Sequence, residues 1–212
     1  MLLDLILPRE CGGCGVLGVV WCADCARSLA GPPVRVSPRT DPGVPCWALG
    51  GYRGAGRRAV VAVKERNRRD LAVPLGRALA RGLDALRDPE RALVLVPAPS
   101  RRAAARGRGG DPVARVARIA ASWLIDCRAV SALRMQGAVR DSVGLGPAQR
   151  RANLHGRITT PPGGLPGALS VPNIEVVLVD DVLTTGATAS ESVRALAGAG
   201  VDIRAVMVTC AA

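Results

Sequence analysis

Aromatic residues are scarce in this chain of 212 residues, which has no phenylalanine, one tyrosine and three tryptophans. A core without rings must be filled by Val, Leu, Ile and Ala, which suits helices packed on a parallel sheet. Apolar residues make up 49% of the chain, so general disorder is excluded. The length suits one main domain with a small appendage. Few rings also disfavour a protein that stacks single-stranded bases on exposed aromatic side chains.

Signals for membranes and export are also missing. No run reaches the roughly 18 apolar residues of a membrane span. The apolar start, Met1 to Pro8, is short, lacks a basic beginning and contains Asp4. We therefore predict a cytoplasmic protein with no membrane partner. In that compartment the seven cysteines stay reduced unless they bind metal.

Lysine is almost absent, because Arg supplies 28 of the 29 cations and Lys64 is the one lysine. An ammonium is a compact point charge, so its presence at a single position suggests a specific task. The net charge is +12, and twelve arginines against three acids lie between residues 100 and 157. This excess indicates an anionic partner, either phosphates of a small molecule or a nucleic-acid backbone. A solvated basic surface is the alternative.

One stretch near the C-terminus combines a strand, two acids and a hydroxyl-rich turn. Val176 to Val179 predicts a strand that is buried on both faces and ends at Asp180 and Asp181. The turn Thr184-Thr185-Gly186-Ala187-Thr188 then leads into a helix, and Thr188 with Glu191 fits a capping box. Open α/β sheets bind ligands at such carboxyl ends of strands.

The chemistry of this stretch favours a phosphorylated sugar. Free N–H groups at a helix start, together with threonine hydroxyls, favour a phosphate. Paired carboxylates need another partner, such as vicinal sugar hydroxyls or Mg2+. A ribose 5-phosphate that carries further phosphate satisfies both halves. An ordinary strand-turn-helix is the alternative, and a nucleotide P-loop is excluded because its G-x-x-x-x-G-K-[ST] pattern is absent.

Four cysteines near the N-terminus form two C-x-x-C pairs, Cys11 with Cys14 and Cys22 with Cys25. Two such turns can place four thiolates around a structural zinc ion. Disulfides or a redox pair are the alternatives, but the cytoplasm disfavours the first and no βα context supports the second. A catalytic metal is not expected, because the cluster has no His, no acid and no open position.

The pattern of the chain predicts two domains. Residues 1–45 are predicted to be a zinc-ribbon-like module followed by a Pro/Gly-rich linker from Gly31 to Val44. Residues 46–212 are predicted to be the main α/β domain. Its expected elements are strands at 47–52, 92–96, 128–133 and 201–209, helices at 57–69, at 74–88, from Asp111-Pro112 onward and at 147–154, and a loosely packed stretch at 159–172.

Two further patterns have ordinary interpretations. Gly54 to Ala59 imitates the dinucleotide fingerprint G-x-G-x-x-A, but no acid ends a second strand about twenty residues later. We interpret it as a turn and a helix start. His155, the one histidine, is interpreted as a surface residue because no Cys, Ser or acid pattern accompanies it.

A basic, glycine-rich connection follows the predicted strand at 92–96. Exposed amides and guanidinium forks there would suit a pyrophosphate. The candidate pyrophosphate ligands are Arg101, Arg102, Arg106 and Gly107, and Lys64 is expected to help neutralise the same group. Arg150 and Arg151, in the predicted short basic helix, are further candidates.

Taken in order, these features resemble the ComF competence-protein family of type I phosphoribosyltransferase-like proteins. The resemblance covers nearly the whole chain. Its landmarks here are Cys11, Cys14, Cys22 and Cys25; Tyr52, Arg53 and Gly54; Lys64; Val96, Pro97 and Pro99; Arg106 and Gly107; Gly144, Leu145, Arg150 and Asn153; and Asp180 to Thr188.

The resemblance implies a type I phosphoribosyltransferase fold, in which helices flank a parallel Rossmann-like sheet, with a zinc-bound N-terminal module. It also implies that Asp180 and Asp181 contact the ribose hydroxyls of phosphoribosyl pyrophosphate with Mg2+, while Thr184 to Thr188 cradle its 5-phosphate. In transformable bacteria the family handles incoming single-stranded DNA.

This chain departs from the family pattern at two places. Arg108-Gly109-Gly110 stands where the family usually reads Phe-Asn-Gln, and Ser142 stands where it reads Gln. The amide side chains that would direct hydrogen bonds are missing there. No cysteine follows Met1, so an N-terminal-nucleophile glutaminase is excluded.

Two functions follow as expectations. The first is a phosphoribosyltransferase, an enzyme of the glycosyltransferase class that transfers a phosphoribosyl group with release of pyrophosphate. The alternative is a non-enzymatic competence factor that binds single-stranded DNA or a partner protein.

Overall fold

A six-stranded sheet forms the centre of the protein, whose computed structural model describes residues 9–100, 110–136 and 155–212. A separate two-stranded ribbon lies beside it. The strands are β1 (Val34–Val36), β2 (Cys46–Gly51), β3 (Ala92–Pro97), β4 (Cys127–Ala129), β5 (Arg134–Met135), β6 (Ile158–Thr159), β7 (Ile174–Leu183) and β8 (Ala205–Ala211), of which β5 and β6 form the ribbon.

Five α-helices accompany the strands in the described part of the chain. They are α1 (Ala23–Arg27), α2 (Gly54–Glu65), α3 (Ala72–Asp84), α4 (Pro112–Ala121) and α5 (Ala187–Ala197). Within these residues, no helix is long and apolar enough to cross a membrane.

The strand order of the main sheet is β1-β2-β8-β7-β3-β4. Neighbours from β2 to β4 are parallel, and β1 pairs with β2 in the antiparallel sense at one edge. From β3 the chain first moves outward to β4 and later returns to the other side of β3 as β7. This reversal opens a crevice between the carboxyl ends of β3 and β7, the place where open α/β sheets bind ligands.

The buried strands supply two cores, one on each face of the sheet. Leu93 and Leu95 of β3 pack with helices α2, α3 and α4, whereas Val94 and Val96 pack on the opposite face with α5. This alternation is the two-residue period of a strand. The predicted mixed α/β fold, with a mostly parallel sheet flanked by helices, is confirmed, and so is its aliphatic core.

The chain has no phenylalanine to fill space between its helices, and the helices pack close together instead. Gly76 of α3 faces Ile119 of α4, and a Cβ at Gly76 would overlap the Ile119 side chain. Small residues therefore let α3 and α4 approach without large rings to fill the space between them.

Several element boundaries differ from the prediction. Helix α2 begins at Gly54, before the predicted start at 57, and it ends at Glu65, before the predicted end at 69, because Asn67 adopts a left-handed conformation with φ of 52°. Helix α3 ends at Asp84, before the predicted 88. The predicted strand at 128–133 is shorter, and the predicted strand at 201–209 begins only at Ala205.

Two stretches expected to be loose are ordered parts of the fold. The predicted linker from Gly31 to Val44 contains β1, whose residues Val34–Val36 pair with β2. The predicted loosely packed stretch at 159–172 contains a 3-10 turn at Gly167–Leu169, and Leu169 is buried in the core on the α5 face. Both predictions were wrong because three-residue elements are too short to show a period. The predicted helix at 147–154 lies outside the described residues.

Candidate functional site

Asp180 and Asp181 lie inside strand β7, not after it. The expectation that the strand ends at these acids is wrong, because β7 continues to Leu183. Its pairing explains the difference: β3 stops at Pro97, opposite Val179, while β8 continues alongside β7 as far as Ala211, opposite Leu183. The two acids therefore lie just beyond the end of β3, at the crevice.

The alternation of β7 is interrupted at the acid pair. Val177, Val179 and Val182 all pack on the core of α2, α3 and α4, although strict alternation would turn Val182 to the other face. Asp180 and Asp181 both border one small cavity of about 20 Å³, walled mainly by apolar side chains of these helices. The acid pair thus lies over an apolar floor.

Lys64, in the last turn of α2, is paired with the second acid. Its Nζ lies 2.9 Å from Oδ1 of Asp181, whose side chain is 18% exposed. Burial acts to lower the pKa of Lys64, but the carboxylates of Asp181 and Asp180 outweigh it and raise that pKa above its ordinary value. Lys64 therefore keeps its positive charge beside the acid pair.

Asp180 is set apart from Asp181 by its surroundings. Desolvation and then the negative charge of Asp181 raise the pKa of Asp180 well above its ordinary value, against the lowering effect of Lys64. The N–H group of Asp181 donates to Oδ1 of Asp180 at 2.8 Å. The ammonium of Lys64 contacts the carboxylate of Asp181, and the oxygens of both acids could accept hydrogen bonds from hydroxyl donors or bind a metal ion. Carboxylate oxygens are ligands of the kind that Mg2+ takes.

The 184–188 loop leads directly from the acid pair to the start of α5. Gly186 has a φ of +85°, in the left-handed region, and is the N-cap of α5. Ala187 N–H donates to Oγ1 of Thr185 at 3.4 Å. The first turn of any helix leaves N–H groups without intrahelical acceptors, and here they face the carboxyl edge of the sheet. Thr184 is exposed, and Thr185 and Thr188 are half-buried.

The predicted capping box of Thr188 and Glu191 is wrong. The helix starts at Ala187, so Thr188 lies within its first turn. Glu191 instead accepts a hydrogen bond from Gly156 N–H at 2.6 Å and pairs with Arg194. The left-handed conformation of Gly186 makes the turn that a side-chain cap would otherwise stabilise.

The 38–40 segment, part of the predicted linker, covers Gly186. Thr40 N–H donates to the carbonyl oxygen of Thr185 at 2.8 Å. A Cβ at Gly186 would overlap the carbonyl oxygen of Thr40 and lie 2.8 Å from Cβ of Pro38. Sequence reasoning missed this contact, and the Pro-rich stretch around Pro38 carries no periodic signal that could have revealed it.

The predicted pyrophosphate ligands Arg101, Arg102, Arg106 and Gly107 lie outside the described residues, as do Arg150 and Arg151. The structure does describe both ends of the 101–109 stretch. Asp111 is the N-cap of α4, with Pro112 in the first turn, as predicted; its Oδ1 accepts from Val113 N–H at 2.9 Å, and its Oδ2 accepts from Ser100 N–H at 3.0 Å. One carboxylate thus joins the two ends of the stretch beside the crevice.

The four N-terminal cysteines come together in space. Their sulfur atoms all lie within 4.8 Å of one another, and none forms a disulfide. Burial acts to raise the pKa of Cys11, but N–H groups of Cys14, Cys22 and Gly13 outweigh it and lower that pKa to about 6. A cluster of four sulfurs could hold a metal ion and is compatible with structural zinc.

The cysteine cluster packs on the main sheet and its helices. A Cβ at Gly12 would overlap Leu71, and the side chain of Arg58 in α2 donates to the carbonyl oxygen of Gly13. Leu29, which follows α1, is 3% exposed and belongs to the core of α2, α3 and α4. The cluster therefore contacts the same helix, α2, that carries Lys64.

His155 lies on the surface, as predicted. Its side chain is 76% exposed, and Nδ1 lies 3.9 Å from a carboxylate oxygen of Glu191. We assign no chemical role to it.

The fold and the site together describe a mixed α/β protein with an acid pair and a helix start at a sheet crevice, and with a four-cysteine cluster. A scan against protein-family models finds no match, and a search of the curated proteins finds no significant relative.

Proposed function

We propose that this protein binds phosphoribosyl pyrophosphate with Mg2+ and is a phosphoribosyltransferase-like protein of the ComF type. The observation that carries the proposal is the order of three residues at the crevice. Asp180 and Asp181 lie on strand β7, and Gly186, in the left-handed conformation, lies at the start of helix α5. An acid pair and a phosphate-binding helix start, separated by a few residues, match the hydroxyls and the 5-phosphate of one ribose phosphate.

Each half of this ligand has a chemical partner in the proposal. The free N–H groups of the first turn of α5, with the hydroxyls of Thr184, Thr185 and Thr188, hold the 5-phosphate. Asp180 and Asp181 face the ribose hydroxyls and the Mg2+ that the ligand carries, because a carboxylate can accept hydrogen bonds from hydroxyls or bind the cation. Mg2+, when bound to the ligand, would neutralise charge on the pyrophosphate.

The reaction class that this arrangement suits is transfer of the phosphoribosyl group. An acceptor nitrogen forms a bond to the anomeric carbon, the bond from that carbon to pyrophosphate breaks, and pyrophosphate leaves with the electron pair. The protein supplies charge and position, so no covalent nucleophile is needed. Lys64 and the arginines Arg101, Arg102 and Arg106 are the groups proposed to stabilise the departing anion.

Calorimetry with phosphoribosyl pyrophosphate and Mg2+ tests this proposal. We expect an affinity of about micromolar, since several charge-assisted hydrogen bonds of about 1.5–3 kcal/mol each exceed the ordering costs. The double variant Asp180→Asn/Asp181→Asn should weaken binding by more than about tenfold. Asp202→Asn is the matched control, since Asp202 is an exposed acid outside the acid pair. Undiminished affinity in the double variant would contradict the site assignment.

We also propose that the cysteine cluster binds zinc. Four sulfur ligands without an open position are typical of structural zinc sites. The cluster contacts α2 and the core through Gly12, Gly13 and Leu29, so its role is to support the fold.

A second candidate function, binding of single-stranded nucleic acid, is favoured by one observation. Trp123, one of the few rings in the chain, is 55% exposed, and the guanidinium of Arg77 lies 4.4 Å from its ring centroid. An exposed ring beside a cation is the arrangement on which unpaired bases stack.

An oligonucleotide titration followed by the fluorescence anisotropy of a labelled oligonucleotide tests this second candidate. Trp123→Ala should lower the affinity about tenfold, and binding should weaken steeply with salt. Ile125→Ala is the control, because Ile125 is an exposed apolar neighbour without a ring. Lack of binding to the unmodified protein at about 50 mM salt dismisses this function.

A further inference from the structure

The Lys64–Asp181 ion pair occupies one of the two carboxylates that the proposed ligand requires. Nζ of Lys64 lies 2.9 Å from Oδ1 of Asp181, while the lysine side chain is 45% exposed and that of Asp181 only 18%. The acid is thus held in place, and its partner has solvent into which it can move. A flexible four-carbon stem allows such a movement without any change in α2.

Helix α2 itself cannot follow the ammonium. Ala59, Val60, Ala62 and Val63 of this helix are buried in the core, and Arg58 is bonded to Gly13 in the cysteine cluster. Any exchange of partners at Lys64 must therefore occur by side-chain rotation alone.

We propose that Lys64 and a divalent cation occupy Asp181 in turn, and that Lys64 thereby selects ligands that carry pyrophosphate. In the free protein the ammonium holds the carboxylate. When a metal-bound pyrophosphoryl ligand arrives, the cation takes the carboxylate and the ammonium turns to the phosphate oxygens. This inference rests on the proposed function and adds a specificity-determining role for Lys64 to it.

The selection follows from charge. A bare divalent cation must displace an ammonium of the same sign of charge, and it brings no anionic group to receive that ammonium. Ribose 5-phosphate carries only a hydroxyl at its anomeric carbon and no phosphate to receive Lys64, so it gains nothing from the exchange. Only a ligand with phosphates near Asp181 both brings the cation and offers phosphate oxygens as a new partner to the displaced ammonium.

The use of lysine at this position supports a reversible pair. The chain has 28 arginines and a single lysine, so an arginine would be the common choice for a permanent ion pair. A guanidinium binds a carboxylate through two parallel hydrogen bonds, whereas an ammonium makes a point contact that is easier to exchange.

The test compares Lys64→Met with the unmodified protein by calorimetry, using three probes: Mn2+ alone, ribose 5-phosphate, and phosphoribosyl pyrophosphate with Mg2+. We expect Lys64→Met to bind Mn2+ about tenfold more tightly, phosphoribosyl pyrophosphate about tenfold more weakly, and ribose 5-phosphate within about twofold of the unmodified protein.

Lys64→Gln is the second variant, in case the methionine disturbs folding. Arg66→Met, which removes an exposed cation two residues away, should change none of the three affinities by more than about twofold.

Opposite changes in the two affinities distinguish partner exchange from a structural role. If Mn2+ affinity in both lysine variants is unchanged or weaker while phosphoribosyl pyrophosphate still binds the unmodified protein, the exchange is overturned and the proposed function stands. Unchanged affinity for phosphoribosyl pyrophosphate in these variants overturns the exchange as well. If the unmodified protein does not bind phosphoribosyl pyrophosphate, the proposed function and the exchange both fall.

Discussion

At the scale of single residues, Gly186 is the position at which the backbone conformation most restricts substitution. It combines a left-handed φ of +85° with direct contact to the 38–40 segment, so a side chain there would meet both strain and overlap. Gly200 separates these two effects, because its φ is +81° and nothing lies within 4 Å of a Cβ built there.

We predict that Gly186→Ala destabilises the protein more than Gly200→Ala does. The left-handed conformation costs about 1–2 kcal/mol in both variants, and only Gly186→Ala must also displace Thr40. Thermal unfolding measures both costs. In the same pair, only Gly186→Ala should lose affinity for ribose 5-phosphate. Equal destabilisation by the two variants would show that the 38–40 segment yields freely.

At the scale of elements, helix α5 is hydrogen-bonded to the chain at Gly156 through a buried acid. Glu191 is 7% exposed and accepts from Gly156 N–H at 2.6 Å. Burial acts to raise the pKa of Glu191, but the hydrogen bonds from Arg194 and Gly156 outweigh it and lower that pKa below its ordinary value. The charged form of Glu191 is therefore favoured by folding.

We predict that Glu191→Gln lowers stability in a pH-dependent way. A lowered pKa in the folded protein means that the contribution is full above the unfolded pKa of about 4.3 and is lost as pH falls through the folded pKa. At pH 7 we expect a loss of about 1–2 kcal/mol, because Arg194 is half exposed and its share is screened by solvent. Urea unfolding of the unmodified protein and of Glu191→Gln, at pH 7 and below pH 4, measures the difference in the free energy of unfolding. A difference that persists unchanged in acid would contradict the role of the charge.

The sequence predicts best the elements that are determined by a few neighbouring residues. The buried run at Leu93 to Val96, the Asp111-Pro112 helix start and the spacing of the cysteines each needed only a few neighbouring residues, and the structure has them where expected. The length of β7 depends on β8, and the partner of Lys64 lies on a distant strand. Such features are decided by tertiary contacts, which no local pattern contains.

At the scale of the whole molecule, the cysteine cluster and the main sheet share one hydrophobic core. Val20, Trp21 and Leu29 of the first 30 residues pack with residues of α2 and α3. Removal of a metal ion bound to the cluster should therefore lower the stability of the entire protein.

We predict that the protein contains one zinc ion per chain and that its removal lowers the melting temperature by about 10 °C, since metal-site binding energy adds to folding energy. Elemental analysis and thermal unfolding with and without chelator measure this. Cys14→Ser should have the same effect, whereas Cys127→Ser, a free cysteine outside the cluster, should retain the metal. Unchanged melting after the metal is removed would contradict a structural role.

The antiparallel pairing of β1 with β2 bears on aggregation. A chain that started at Cys46 would keep the parallel strands and the acid pair but would expose the edge of β2, including the backbone of Cys46, Trp47 and Ala48. Unpaired edges of this kind recruit strands from other molecules. The three residues Val34–Val36, which lie in the stretch that the sequence predicts to be a linker, therefore protect the sheet from growing between copies of the protein.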